Sequence, residues 1–445
     1  MSNLLERASI LVTPTAISAA ALHCIKPNTA TGDFSFTRLT TSTRVNSSGL
    51  IESVSGSFPR IDFLGGTGHV LLEPQSTNTA TYSNDFTQGD IFNGSTDPSL
   101  SDTILTATQG TAPDGTNSAQ LLKDDSDGGS GQTSLDYFSV NVVSDNFNTV
   151  SIFVKKSLSN NFIYMQTAGY DSGTSDRSWF DIQNGTLGTT SSEHTTKIED
   201  YGNGWFRCSA TFKTTTDLVG SFRIILATAD NNTSITRDGT NGVLLFGLQA
   251  ESDDSRNFAT SYIPTSGATV TRNGDFASGA GDSSLLSTTE GVLYTETACL
   301  VDGTNNRAIA VSSDNNNYAS IQYNPTSNRV LGRYRNAGTF VSAIQFDVSD
   351  RTQFSKIAFR YKQDDFALFI DGVQVGTDTS GNVLSADTFT SLNFSTATTS
   401  NSFEGKAKCV AVFKEFLDND ELECLTGSGF DSFTALAEAG SYTII

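Results

Sequence analysis

Short runs in which apolar and polar residues alternate recur along this chain, and they constrain its fold more than any other feature. The plainest pair is Ile357 to Tyr361 and Phe366 to Ile370, which are separated by a polar turn at Lys362 to Asp365. Successive side chains on a strand point to opposite faces of a sheet, so each run predicts a strand. The Asp371-Gly372 pair that follows predicts a type I′ turn, because both of its central residues need a positive φ. This region therefore predicts β-hairpins within an antiparallel sheet.

The composition extends this prediction to the whole chain. Hydrophobic residues make up 37% of the sequence and charged residues 17%, and 38 glycines punctuate it, which is typical of short strands joined by polar turns. Thirty Phe and twelve Tyr provide bulky side chains for sandwich interiors. At 445 residues the chain is too long for one core. We predict a mainly β fold with two antiparallel β-sandwich (jelly-roll) domains. Short capped helices are expected at Asp418 to Leu425 and, after Asp431, at Ser432 to Ala439.

The division into domains follows shifts in pattern along the chain. The apolar residues near the N-terminus are interrupted by Pro14 and Pro27, so we expect them to need a surface supplied by another protein. A stretch rich in Gly, Ser, Ala and Asp breaks the strand pattern after residue 270. The predicted ranges are an attachment segment at 1–75, a jelly roll at 76–270, a linker at 271–290, and a second sandwich with a C-terminal tail at 291–445.

The balance of charge excludes one class of partner. The formal net charge is −21, and no dense cluster of Lys and Arg is present that could neutralise a run of phosphates, so no nucleic-acid partner is expected. No stretch of 18 apolar residues and no signal peptide is found, which predicts neither membrane insertion nor secretion. Five scattered cysteines without a C-x-x-C pair indicate buried free thiols.

Two patterns resemble catalytic signatures, and neither is complete. Gly281 to Leu285 reads GDSSL, but all three histidines precede it, so its serine lacks the downstream base that a GDSL esterase requires. Glu290 and Glu296 flank one predicted strand without the further acid that a sandwich glycosidase would carry. We therefore predict that the protein is not an enzyme and has no catalytic residues.

Other residues are candidates for binding. Five aromatic residues could stack on sugar rings, although large aromatics in sandwiches more often fill cores. Asp124, Asp125 and Asp127 precede two glycines like the start of a calcium loop, but the bidentate Glu of such a loop is missing. No cofactor is predicted, and a structural calcium ion remains an open alternative to a solvated turn. The aromatic candidates are Trp179, Trp205, Tyr201, Tyr164 and Tyr170.

Several longer runs resemble modules of tailed-bacteriophage structural proteins. FSFTRLTTSTRVNSSGLIESV (residues 34–54) and LLEPQSTNTATYSNDF (71–86) resemble the leader and first strand of carbohydrate-binding-like jelly rolls in head-fibre and tail-fibre proteins. DYGNGWFRC (200–208) and ATSYIPTSGATVTR (259–272) resemble the later strands of that module and its exit. IAFRYKQDDFALFIDGVQVG (357–376) and FLDNDELECLTG (416–427) resemble a concanavalin A-like, laminin-G-like sandwich.

The resemblance implies a virion structural protein that carries lectin-like domains for adhesion to cell-surface or environmental glycans. It implies display on the virion surface after assembly in the host cytoplasm, in several copies or as a homo-oligomer. The N-terminal segment would contact other virion proteins of the capsid or tail. A virion-associated glycan hydrolase and a purely architectural capsid cement protein are the alternatives.

Overall fold

The computed structural model describes residues 4–88, 103–137, 142–170, 175–216, 218, 220–300, 305–385, 388–397 and 401–427. Its regular structure is almost all strand, so the prediction of a mainly β fold is confirmed. The C-terminal tail from residue 428 onward, with the helix expected at Ser432 to Ala439, lies outside the described residues.

The elements before the first sandwich are short. They are helix α1 (Leu4–Arg7), β1 (Ile10–Val12), β2 (Ile17–Ser18), β3 (Ala21–Leu22), a 3-10 turn (Ala30–Gly32), β4 (Phe34–Thr37), β5 (Ser42–Val45), β6 (Ile51–Val54), β7 (Arg60–Asp62), β8 (His69–Leu72) and β9 (Ser76–Asn78).

The next strands build the first sandwich and its exit. They are β10 (Thr103–Gly110), β11 (Ala119–Asp124), β12 (Ser130–Gly131), β13 (Ser134–Tyr137), β14 (Phe147–Lys156), β15 (Phe162–Ala168), β16 (Ser175–Asp181), β17 (Thr186–Leu187), β18 (Thr195–Asp200), β19 (Trp205–Phe212), β20 (Ser221–Ala227), β21 (Ile235–Thr236), β22 (Gly242–Asp253) and β23 (Val270–Arg272).

The remaining elements belong to the second sandwich. They are β24 (Phe276–Ser278), β25 (Glu290–Cys299), β26 (Arg307–Asp314), β27 (Asn317–Tyr323), β28 (Arg329–Asn336), β29 (Thr339–Asp347), β30 (Ser355–Lys362), β31 (Phe366–Ile370), β32 (Val373–Asp378), β33 (Ser391–Asn393), β34 (Gly405–Phe413) and helix α2 (Asn419–Thr426).

The first sandwich packs a six-stranded sheet, in the order β10-β11-β22-β14-β19-β18, against a five-stranded sheet, in the order β13-β20-β15-β16-β17. Both sheets are antiparallel, and their facing side chains form one apolar core that includes Val150, Ile163, Phe180 and Leu245. The alternation of side chains leaves each sheet with a second face outside this core.

The second sandwich has the same two-layer plan. One sheet runs β32-β31-β30-β25-β34-β8-β7, with β1 also paired to β34, and the other runs β29-β28-β27-β26-β33. Leu293, Ile309, Phe359 and Val412 lie in the core between them. The predicted hairpins are confirmed, because β30 pairs with β31, and β31 pairs with β32 across Asp371-Gly372.

Strands from both ends of the chain share the larger sheet of the second sandwich. In β1, Leu11 pairs with Ala411 of β34, and in β8, Leu71 pairs with Lys406 of the same strand. The range 1–75, predicted as an attachment segment, therefore supplies strands to a sandwich completed by residues 290–413. The range 271–290, predicted as a linker, contains β24, which pairs with β4. Local alternation in sequence cannot reveal such pairings, because it does not show which distant strands meet.

The first sandwich is consequently an insertion within the second. Its entry strand β9 and its exit strand β23 form an antiparallel pair in which Thr77 lies opposite Thr271. The hairpin of β5 and β6 also packs Val45 and Ile51 against the outer face of the six-stranded sheet. The N-terminal range thus contacts both sandwiches.

A buried ionic cluster lies close to β9 and β23, where the chain enters and leaves the first sandwich. Arg60 donates to Glu73 at 2.7 Å and to Asp275, and Arg38 donates to Asp275 at 2.8 Å. Arg272 lies 3.5 Å from Glu73, and each side chain of the cluster is at most 5% exposed. Burial alone would raise the pKa of Glu73, but Arg60 and Arg272 hold it far below its ordinary range. We define Arg38, Arg60, Glu73, Arg272 and Asp275 as the junction cluster.

Helix α2 covers the outer face of the larger sheet of the second sandwich. Its capping box is complete, because Glu421 N donates to Asp418 Oδ1 and Asp418 N donates to Glu421 Oε2, each at 2.9 Å. Leu422 and Leu425 pack against Tyr294 and Phe369 of the sheet. The capped helix predicted at Asp418 to Leu425 is confirmed. In the described parts of the chain, neither helix has the length and apolar character needed to cross a bilayer.

Candidate ligand-binding face

The five-stranded sheet of the first sandwich has one face in the core and one face outside it. Leu135, Ile163, Phe180 and Ile224 point into the core. Because side chains alternate along each strand, the residues between them share the opposite face. That outer face carries two parallel rows of side chains, one aromatic and one polar.

The aromatic row contains Tyr164 and Trp179. These residues are register partners on β15 and β16, and their rings stack with centroids 5.0 Å apart and planes inclined at 29°. Trp179 Nε1 donates to the Asn232 carbonyl oxygen at 3.0 Å, and Gln132 Nε2 donates to Tyr164 Oη at 2.8 Å. The two side chains are almost fully buried, and burial raises the pKa of Tyr164 to about 12. The loop that carries Asn232 therefore contacts the aromatic row, whose rings pack rather than stand open to solvent.

The second row is polar and lies on the same outer face, two residues away from the aromatic row along β15 and β16. Asp136 is the register partner of Arg223, Arg223 of Gln166, and Gln166 of Arg177. Arg223 Nε lies 3.1 Å from Asp136 Oδ2, while Asp136 and Gln166 are buried and both arginines are half-buried. Strands in a sheet lie about 4.8 Å apart, so the row extends over about 14 Å. We define these four residues as the polar row.

Two atoms of the polar row are buried without a hydrogen-bond partner among the described residues. They are Gln166 Oε1 and Arg177 Nε. Among the residues that the structure describes, the guanidinium group of Arg177 makes no ion pair. A buried polar group left unsatisfied costs about 1–3 kcal/mol. Arg177 and Arg223 are only half-buried, so part of each side chain is accessible to the hydroxyl or carboxyl groups of a ligand.

Sequence reasoning missed the polar row. It identified Trp179 and Tyr164 by their aromatic character. Single charged residues such as Asp136, Arg177 and Arg223 have no local pattern that distinguishes them from ordinary solvent-facing side chains. The signal becomes informative only when the register aligns the four residues on one face. Register across strands is a property of the fold, not of local sequence.

The other aromatic candidates lie elsewhere. Trp205 and Tyr201 belong to the cluster outside the six-stranded sheet, where Trp205 Nε1 donates to the Thr111 carbonyl oxygen at 3.2 Å. Tyr201 packs edge-on against Phe153. Tyr170 packs against Phe212 with centroids 5.0 Å apart. The five candidates thus form two separate pairs, Tyr164 with Trp179 and Tyr201 with Trp205, while Tyr170 packs in the core of the first sandwich.

The acidic turn that resembled a calcium loop packs against an arginine from a distant part of the chain. Arg237 donates to both carboxylate oxygens of Asp127, at 3.0 and 2.7 Å, and lies 3.7 Å from Asp125. Asp124 accepts hydrogen bonds from Asp238 N and Asn241 Nδ2, each at 3.1 Å. The guanidinium provides the positive charge that balances the turn. Nowhere in the described residues do three or more His, Cys, Asp or Glu side chains group as metal ligands.

The candidate catalytic residues are separated in space. Glu290 forms an ion pair with Lys362 at 2.8 Å, and Glu296 lies 3.8 Å from Lys408. The two glutamates are six residues apart on β25, which is about 20 Å along a strand. Glycosidase carboxyl groups lie about 5–9.5 Å apart. In the GDSSL run, Asp282 accepts hydrogen bonds from Ser284 as an ordinary turn.

One serine-histidine-aspartate relay is present that sequence reasoning missed. Ser18 Oγ lies 2.8 Å from His23 Nε2, and His23 Nδ1 lies 2.7 Å from Asp33 Oδ2. Asp33 also accepts a hydrogen bond from Cys24 N at 2.8 Å. Neither of the two large cavities described for this chain is lined by Ser18. The relay joins the β2–β3 hairpin to the segment that enters β4, which accounts for it structurally.

No family model matches the chain, and a search of the curated proteins finds no match either. Solved structures similar to it include the CBM40 of an IT-sialidase from Ruminococcus gnavus, at 15% identity and a TM-score of 0.27, covering 32% of this chain and 84% of that one. A native heptameric SAP-like pentraxin from Limulus polyphemus has 12% identity and a TM-score of 0.26, covering 32% and 76%. Domains LG4-5 of the mouse laminin alpha1 chain have 9% identity and a TM-score of 0.23, covering 79% and 92%. Similarity at this level is to the class of fold alone.

Proposed function

We propose that the first sandwich binds a glycan on the outer face of its five-stranded sheet and that the protein acts in adhesion. The observation that carries this proposal is the polar row, in which the register aligns two half-buried arginines with a glutamine and an aspartate on one face across four adjacent strands. Rigid strands hold these groups at fixed spacing, so a ligand meets them preorganised.

The chemistry of the row suits a saccharide. Arginine and glutamine side chains donate and accept hydrogen bonds in fixed planar geometry, which suits the hydroxyl and ring oxygens of a sugar. The length of the row, about 14 Å, favours an oligosaccharide over a single ring. Tyr164 and Trp179 support the row from the next pleat through their packing.

The decisive experiment compares Arg177→Gln with the unaltered full-length chain. A glycan array identifies a ligand, and isothermal titration calorimetry then measures its affinity for each protein. Arg177 makes no ion pair within the described residues, so its loss should leave folding intact, and affinity should fall by about tenfold or more. Arg329→Gln, an exposed arginine of the second sandwich, is the matched control. Equal affinity of both variants for the ligand would contradict the proposal.

We also propose that the protein is displayed on the surface of a bacteriophage particle, in several copies. The runs at 34–54, 71–86 and 357–376, which resemble head-fibre and tail-fibre modules, support this. A charge of −21 would keep closely spaced copies apart and soluble. Gold-labelled antibodies against the second sandwich should decorate intact particles. Particles that contain no copy of the chain would overturn this proposal.

A hydrolase is the second candidate function, and one measurement separates it from adhesion. The bound glycan is incubated with the protein, and newly formed reducing ends are measured. We expect none above the level of a buffer control, because the two candidate glutamates are far apart. Release of reducing ends would replace binding with hydrolysis as the function.

A further inference from the structure

A cleft of about 500 Å³ lies between the two sandwiches, and its lining shares no residue with the cavity beside the junction cluster. One wall consists of β18, the middle of β19 and the loop after β22. The other consists of the end of β25, the loop before β30 and the start of β34. Pockets of this size at the boundary between domains are common ligand sites.

Each wall of the cleft contributes one phenylalanine and one lysine. The first sandwich contributes Phe258 and Lys197, and the second contributes Phe354 and Lys406. Hydroxyl and amide side chains, including those of Thr195 and Gln353, lie around them. The lining therefore combines apolar ring faces, neutral hydrogen-bonding groups and cations.

The charge of the cleft is opposite to that of the chain. Glu199 is the acidic residue of the lining, and its carboxylate lies 2.7 Å from Lys197 Nζ. Burial alone would raise the pKa of Glu199, but Lys197, Arg207 and Lys406 lower it, so it remains a carboxylate. Two lysines therefore face one carboxylate, in a protein whose net charge is −21.

Lys406 is the cation left for a ligand. Its ammonium group forms no ion pair within the described residues, whereas Lys197 is paired with Glu199. Lys408, on the same strand, lies over the Phe354 ring at 4.2 Å, but Glu296 at 3.8 Å balances its charge. A local positive potential in an acidic protein attracts small anions.

We propose that this cleft is a second binding site, which takes an acidic oligosaccharide between the two sandwiches. Its carboxylate or sulfate groups lie between Lys197 and Lys406, and its sugar rings pack against Phe258 and Phe354. A short ligand fits better than a nucleic acid, because a long polyanion would extend onto the acidic surface and be repelled. The site is separate from the polar row, so the two can be tested independently.

The experiment titrates the full-length chain with three probes by calorimetry. Trigalacturonic acid provides carboxylates, a heparin-derived tetrasaccharide provides sulfates, and maltotriose is the neutral probe. Binding of one or both acidic probes and not of maltotriose is expected, and the comparison identifies the anion. Affinity should fall steeply when NaCl is raised to about 1 M, where the screening length is about 3 Å. Binding of maltotriose as tightly as the acidic probes, or no binding of either acidic probe, would overturn the proposal.

Variants locate the site. Lys197→Gln and Lys406→Gln should each lower the affinity for the acidic probe about fivefold, and the double variant more than either. Lys155→Gln, a half-buried lysine of β14 outside the cleft, is the matched control and should bind normally. Arg177→Gln should also leave this binding unchanged, which separates the cleft from the polar row. Unchanged affinity in the double variant would show that the cleft is not the site.

Discussion

His194 shows how the interior of the first sandwich fixes a protonation state. Its ring nitrogens lie 3.0 Å from Thr167 Oγ1 and 3.0 Å from Ser178 Oγ. Burial lowers the pKa of His194 to about 4. The imidazole is therefore neutral in the folded protein at neutral pH, and each hydroxyl can complement the nitrogen it faces.

This burial predicts a loss of stability in mild acid. An unfolded histidine has a pKa of about 6.5, so as pH falls the unfolded chain takes up a proton before the folded one. The contribution of His194 is fully present above about pH 6.5 and is lost as pH falls toward 4. Melting temperatures between pH 7 and pH 4 should fall less steeply for His194→Gln than for the unaltered protein. His23→Gln, a half-exposed histidine, is the control, and parallel curves for all three proteins would refute the prediction.

At the level of elements, short sequence motifs were sufficient to predict turns and helix caps, which depend on neighbouring residues only. Asp371 and Gly372 have φ values of 48° and 85°, as the type I′ turn requires, and the Asp418 cap forms as its sequence indicates. The pairing of β1 with β34 had no such signal, because neither strand specifies its distant partner. The polar row was missed for the same reason, since its four residues come together only through register.

The turn at Gly372 provides a test at the scale of one hairpin. Gly372→Val places a branched side chain at positive φ, and its Cβ would lie 3.1 Å from Gly427 Cα. We expect the free energy of unfolding to fall by about 1–3 kcal/mol from backbone strain, and further from this contact. Gly49→Val has a similar φ of 76° and no atom within 4 Å, so it should cost less. Equal losses in chemical denaturation would show that the neighbour at Gly427 has no effect.

At the scale of the whole molecule, the junction cluster connects ranges that lie far apart in sequence. Arg38, Arg60 and Glu73 come from the N-terminal range, and Arg272 and Asp275 from the residues after the first sandwich. Glu73 also accepts a hydrogen bond from Ser261 at 2.6 Å. Composition predicted two sandwiches, but it could not show that one interrupts the other.

The cluster predicts that both sandwiches depend on one buried carboxylate. Asp275→Ala leaves Arg38 and Arg60 buried without this partner, so unfolding should become easier by about 3–5 kcal/mol. Asp347→Ala breaks the exposed pair with Arg329 and should change stability little, because solvent screens that pair. Calorimetric scans of the two variants provide the comparison. Equal shifts in the two scans would refute a structural role for the junction cluster.

The insertion of one sandwich into the other also sets an order for biosynthesis. Strands β1 and β8 leave the ribosome early, but their partner β34 begins at Gly405. At about 5–20 residues per second, these strands wait on the order of half a minute, while the first sandwich has all its strands by Asp253 and can close. Unpaired strand edges are sites of aggregation. The nascent chain is thus most exposed to misassembly after its first sandwich has folded and before its last strand has been made.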